Sequence, residues 1–316
     1  MQVALLIAKL DQHHHLKFPD GGDPYMEEER YTKMIFSSSE ILYILASLGL
    51  STAILTNNPF KNYTREALRQ EIVLGREALE NKGLLIRTAS QSWELDGRII
   101  AMMDLIARAD RSLHVTLIRK PAEFERQSFF LMGKQVISLM QESRYYHLGI
   151  FQSEKAFYNY LLTWVGVAEQ LSQNLTDIRL PIKNFASMII GIWSEGSTPA
   201  AALRTAGLEE EAIYPSSLIL EKSDTAAMLI PEFKGIPLEQ TRHGYLLSSK
   251  TFLFWGESVG GDDAVIAFHP LPFSHTVITK VPDYYEEMVN YDPNRPNVTA
   301  NVVRLISGAD LGQQKK

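Results

Sequence analysis

The sequence predicts an α+β fold of two related halves around antiparallel β-sheet, with helical bundles and a winged-helix-like N-terminal segment. Three observations predict it. First, the stretch 243–290 runs as alternating or continuous apolar segments broken by glycine- and proline-rich turns, the pattern of an antiparallel meander closed by an acidic helix from Pro282. Second, a similar order of strand-like runs followed by a helix occupies 113–165. Third, each meander is preceded by segments whose apolar residues recur at helical spacing.

In chain order, residues 1–35 read as an arm, with the turn-rich Pro19-Asp-Gly-Gly-Asp-Pro24 and the charged Met26-Glu-Glu-Glu-Arg30. Ser37-Ser38-Ser39 ahead of Glu40, and Gly49 behind Leu48, bracket a helix. Thr64 caps a second helix whose face carries Leu68, Ile72 and Leu79 and which stops at Gly83. Leu84–Ile86 and Trp93–Leu95 form a short hairpin, and Ile99–Ala107 a third helix. Helix, helix, hairpin and helix is a winged-helix order.

The first half spans 36–166, with strands at Leu113–Ile118, Phe129–Met132, Gln135–Met140 and Tyr146–Phe151 and a helix from Ser153. A polar seam covers 167–180. The second half, 181–291, opens with a helix from Pro181 carrying Phe185, Ile189 and Trp193. Thr198-Pro199 starts the next, Gly207 ends it, and Glu209-Glu-Glu211 sits at the front of another, facing the positive end of its dipole. Ala226–Glu232 reads as a strand, the meander breaks at Gly256–Asp263, and 292–316 reads as a tail with a short strand at Val302–Ile306. Length alone permits one large domain or two smaller ones.

Composition narrows the function classes. The formal net charge of -6 and pI near 5.8 count against chain-wide binding to nucleic acid or an anionic membrane. With no cysteine, disulfides, thiolate metal sites and thiol nucleophiles are absent, which suits a reducing cytosol. The short apolar run Met1–Ala8 lacks a preceding cation and is cut by Lys9 and Asp11, so it reads as a poor signal peptide. No apolar run approaches the ~20 residues of a membrane helix. The Asn-x-Thr triplets at Asn62, Asn174 and Asn297 carry no meaning in a cytosolic chain.

No catalytic set or cofactor motif emerges. Gly256-Glu-Ser258-Val-Gly260 fits a nucleophile elbow, but that motif works at a strand-to-helix corner, and here the sequel turns into another strand. His269 and His275 lie within one hairpin of Ser258, and no His-Gly-Gly motif precedes it. His13-His14-His15 could bind a metal, yet adjacent histidines do not converge on one ion, so the tract reads as solvated. His114, His147 and His243 fall in or beside strands and read as packed or surface side chains. The acidic clusters at Glu27–Glu29, Glu209–Glu211 and Glu286-Glu287 read as solvated faces. If the helix after Thr64 entered a DNA groove, Arg65, Arg69 and Arg76 would serve it. Glu66, Glu71, Glu77 and Glu80 interleave with them, which weakens that reading.

The order of elements from Phe36 to Asn290 resembles the EspG family, cytosolic chaperones of type VII secretion that bind PE–PPE substrates. The resemblance is carried by Leu45-Ala-Ser-Leu-Gly-Leu50, Glu77-Ala-Leu-Glu-Asn-Lys-Gly-Leu-Leu85, Trp93-Glu-Leu95, Ala201-Ala-Leu-Arg-Thr-Ala-Gly-Leu208, Val265-Ile-Ala-Phe-His-Pro270 and Thr276-Val-Ile-Thr279. It implies a cytoplasmic chaperone whose two halves form one compact domain, without enzymatic activity or cofactor. Such a chaperone covers the apolar helical tip of a secreted partner through sheet and helical-bundle surfaces. The family's loop between the second and third strands of the first half falls at Met132, Gly133, Lys134 and Gln135, which the resemblance makes partner-contacting. A homodimer is compatible with the same architecture.

Overall fold

The computed structural model describes residues 31–55, 58–121, 123–151, 153–165, 175–194, 196–260, 264–271 and 298–308. Residues 1–30 of the arm with its histidine tract, the 276–279 strand and the helix from Pro282 lie outside the described residues.

The fold is mixed α+β with a large antiparallel sheet of ten strands, in the order β1-β7-β6-β5-β4-β9-β10-β11-β12-β8, and a separate β2-β3 hairpin. The doubled plan is visible in that order. In the first half β1 (Tyr31–Ser37) precedes three helices, and the meander β4 (Arg111–Arg119), β5 (Glu123–Met132), β6 (Gln135–Glu142) and β7 (Tyr145–Phe151) returns to lie beside it. In the second, β8 (Ile178–Pro181) precedes three helices, and β9 (Thr225–Phe233), β10 (Arg242–Ser248), β11 (Leu253–Val259) and β12 (Val265–Pro270) return beside it. The two meanders join where β4 and β9 pair antiparallel, Val115 opposite Leu229.

The described residues cluster into two compact units, those of 31–109 with 131–151, and those of 110–130 with 153–308. In the first, α1 (Ser38–Ser47) starts at a capping box. Ser37 accepts from the Glu40 amide, and the Glu40 carboxylate accepts from the Ser37 amide at 2.6 Å. Helix α2 (Arg65–Asn81) is capped by Thr64. The β2 (Leu85–Arg87) and β3 (Trp93–Leu95) hairpin follows, then α3 (Gly97–Arg108), capped by Asp96. Arg98 donates twice to Asp96 at 2.9 and 2.8 Å and holds its carboxyl below the usual range. Phe36, Tyr146, Leu148 and Leu139 form the buried face of the strands, and burial pushes the Tyr146 phenol up to about 12.

In the second unit α4 (Glu154–Trp164) lays Phe157 against Phe129, ring centroids 5.0 Å apart, and Trp164 donates to Glu125 at 2.8 Å. Helices α5 (Phe185–Ser194), α6 (Pro199–Thr205) and α7 (Glu210–Lys222) bury Phe185, Ile189, Leu203, Ile213 and Leu220 with Tyr245, Phe254 and Phe268 of the sheet. The alternate residues of the same strands, Gly244 and Trp255, meet α8 (Val298–Ser307) instead. An added Cβ at Gly244 would lie 2.6 Å from Trp255 Cη2 and 3.0 Å from Leu305, so glycine is what lets ring and helix approach the strand.

Four expectations are corrected. The arm ends earlier, because β1 begins at Tyr31. Pro181 closes β8 rather than opening a helix, and α5 starts at Phe185. The break at Gly256 is absent: β11 continues through Val259, since Gly256 is a close-packing residue whose Cβ would meet Ile266 at 2.9 Å. Val302–Ile306 belongs to a helix, because buried Val302, Leu305 and Ile306 follow helical spacing.

Candidate partner-binding surfaces

Met132, Gly133, Lys134 and Gln135 form the two-residue turn between β5 and β6. Gly133 has φ +59° and no neighbouring atom within 4 Å of an added Cβ, so conformation alone demands glycine. Positive φ at the first central position is the mark of a type II′ turn. Gly133 and Lys134 are exposed, with Met132 and Gln135 half-buried beside them.

Arg65, Arg69 and Arg76 line α2 as predicted, but two of them face carboxylates of the same helix. Arg69 lies 3.6 Å from Glu66 and Arg76 3.2 Å from Glu80. Val73 and Leu74 are exposed on this helix, where a groove-reading helix would carry polar groups.

Ser258 sits inside β11, opposite His243 across an antiparallel pair, and only 3% of it is exposed. It occupies no strand-to-helix corner, and a buried hydroxyl offers a substrate no approach. Among the described residues no group of three histidine, aspartate or glutamate side chains could hold a metal, and no helix is long and apolar enough to cross a membrane.

The histidines engage in pairs. His114 Nδ1 lies 2.8 Å from the Ser128 hydroxyl and Nε2 3.4 Å from Glu232, whose carboxyl the imidazole holds below its ordinary range. His269 meets Asp177 at 2.8 Å on the surface. His147 Nε2 reaches Glu142 at 3.2 Å, while its buried Nδ1 has no hydrogen-bond partner among the described residues.

Burial, and then the charge of Lys33, lower the His147 pKa, with Glu142 pulling the other way. The folded value therefore lies below the unfolded value of about 6.5. The neutral ring's contribution to stability is complete above that value and drains away as pH falls through the folded pKa. His147→Gln should flatten this acid-side slope, read by urea denaturation at a series of pH values between about 5 and 7. An unchanged slope would show that His147 does not generate it.

The surface feature that sequence reasoning missed lies on α7. Tyr214 is 77% exposed and Leu218, one turn on, is 38% exposed, while Ile213 and Leu220 on the other face are buried. Glu211 and Glu221 are exposed on the same helix. Pro215 has no N–H to give the Glu211 carbonyl, which leaves that acceptor without its helical donor beside Tyr214. Arg204 donates to Glu210 at 3.1 Å, holding that carboxyl below its usual range and tying the start of α7 to α6. Only the order of a Tyr beside the core residue Ile213 was available to signal it, and order does not reveal exposure.

The described residues thus define an α+β scaffold that presents apolar side chains at a helical surface and a sharp exposed turn, with no catalytic constellation assembled among them. No family model matches the chain, and no curated protein matches it. Among solved structures it is similar to the Mycobacterium tuberculosis type VII secretion system chaperone EspG5, solved in complex with a PE25–PPE41 dimer. That likeness has 11% identity, 78% of this chain and 93% of the other covered, and a TM-score of 0.47. A second, HtdX of the same organism, has 9% identity, 76% and 98% covered, and a TM-score of 0.14.

Proposed function

We propose that this chain is a non-enzymatic, cytosolic protein-binding chaperone or adaptor that covers the apolar helical tip of a secreted partner. The observation that carries the reading is the Tyr214–Leu218 stripe on α7, two large side chains held outward by a helix whose opposite face is locked into the core. A tyrosine of this exposure supplies large contact area and a polar tip at low entropy cost, the profile of an interface anchor. The exposed turn Met132–Gln135 is the second surface offered to a partner, with Met132 adaptable and Lys134 charged. A partner whose apolar tip is covered is kept from aggregating, and binding stabilises both proteins by mass action.

Co-expression with small helical secreted proteins should give a stable complex with at least one of them. Tyr214→Ser with Leu218→Ser should weaken it by about tenfold or more, the loss expected for a truncated anchor. Calorimetry on the purified pair reads the effect, and undiminished affinity would remove the proposed site. Met132→Ala with Lys134→Ala tests the turn in the same assay. Salt-sensitive binding to duplex DNA that disappears in Arg65→Ala/Arg69→Ala would replace the chaperone by a regulator. Ester turnover lost in Ser258→Ala would replace it by a hydrolase.

A further inference from the structure

We propose that Ser90, at the tip of the β2–β3 hairpin, is a phosphoryl-acceptor site whose new charge is received by Arg87. The tip closes through the Thr88 amide to the Ser92 carbonyl at 2.8 Å and the Gln91 amide to the Thr88 carbonyl at 2.9 Å, with Gln91 at φ +62°. Three hydroxyls converge there. Ser90 Oγ lies 2.8 Å from Thr88 Oγ1 and 3.0 Å from Ser92 Oγ, and Ser90 and Ser92 are exposed. The hydroxyls bond one another, and Thr88 Oγ1 also reaches the Ser92 carbonyl at 3.1 Å; none of these groups brings a charge, yet a cation stands beside them.

That cation is Arg87. Its guanidinium lies over the Trp93 ring, 5.7 Å from the centroid, and Nη2 reaches the Gln91 side chain at 3.4 Å. Among the described residues Arg87 makes no ion pair, whereas Arg76, also over Trp93, is matched by Glu80. Glu94 points to the other face of the hairpin, since it pairs with Ile86 while Arg87 pairs with Trp93. The tip therefore holds one unneutralised arginine within a residue's reach of an exposed serine. A phosphate carries close to two negative charges at neutral pH and pairs with arginine through short, charge-assisted bonds.

The reaction needs a serine/threonine kinase and a nucleoside triphosphate. Ser90 Oγ attacks the γ-phosphorus, the bond to the β,γ-bridging oxygen breaks, the nucleoside diphosphate leaves with the electron pair, and the hydroxyl proton passes to the kinase's base. Arg87, three residues before Ser90, also suits an acidic kinase cleft. Once attached, the phosphate draws Arg87 off Trp93, exchanging its cation–π contact for an ion pair and leaving Arg76 over the ring.

Two measurements on the full chain test this. Incubation with ATP and a basophilic serine/threonine kinase should place one phosphate in the tip peptide, absent in Ser90→Ala. Phosphate only on Thr88, only on Ser92, or nowhere in the tip overturns the assignment. Independently, phosphoserine installed at position 90 during synthesis should titrate in ³¹P NMR below the ordinary second pKa of about 6. Arg87→Ala should return it to that value, and a titration indifferent to Arg87 overturns the role given to the arginine.

Discussion

Replacing Gly75 by alanine should destabilise the first unit by about 2 kcal/mol or more, the upper range for overpacking a rigid contact. The sign is what makes the experiment decisive. In an ordinary helix interior glycine is about 0.5–1 kcal/mol worse than alanine, so the same exchange would stabilise. Gly75 is the buried crossing point of α2 on α1, where an added Cβ would lie 2.0 Å from the Ser39 carbonyl oxygen and 3.0 Å from Tyr43 Cβ. The obstacle is backbone, which cannot swing aside like the end of a long side chain. The helices must part, loosening Leu79 one turn on and the Ser39–Glu71 hydrogen bond. Chemical denaturation of Gly75→Ala against the parent chain measures the difference. A stabilised variant would mean that the two helices do not cross there.

The same residue shows what the sequence could and could not disclose. Helix ends were legible because local chemistry sets them: Ser37 with Glu40, Thr64, Ser153 and Thr198 all cap as hydroxyl or carboxylate positions should. The Gly133 turn was legible for the same reason. Glycines fixed by distant packing were not. Gly256 reads as a strand break until Ile266 is seen beside it, and nothing in the sequence singles out Gly75 until Ser39 is seen against it. The β10–β11 turn at Ser249–Phe252 contains neither glycine nor proline, so two strands merged into one apolar run. Val302-Val303-Arg304-Leu305-Ile306 has strand propensity, and tertiary packing overrides it. Tyr214 escaped notice because periodicity marks which face is apolar, not which apolar residue stays in solvent.

Removing the charge of Glu257 should release α8 from the sheet. The Glu257 carboxylate, 14% exposed, accepts from Trp255 Nε1 at 2.8 Å, lies 3.4 Å from Arg242 Nη1, and receives Arg304 Nη2 from α8. Glu257→Gln keeps the volume and the indole bond but removes the carboxylate charge that Arg242 and Arg304 share. Breaking one side of a buried pair costs about 3–5 kcal/mol, and the partial exposure of both arginines brings the expected loss to about 2–3 kcal/mol. That loss falls on one element. Helix α8 is held otherwise by Val302, Leu305 and Ile306, and its contact with Gly244 and Trp255 is close enough to fail as a whole. Limited proteolysis should therefore cut within α8 of Glu257→Gln at denaturant concentrations where that helix of the parent chain is intact. Arg304→Met, which keeps the apolar stem, should cost less in the Glu257→Gln background than in the parent chain, because the ion pair it would break is already gone. Full additivity of the two changes would show that Glu257 and Arg304 act independently and that apolar packing alone seats the helix.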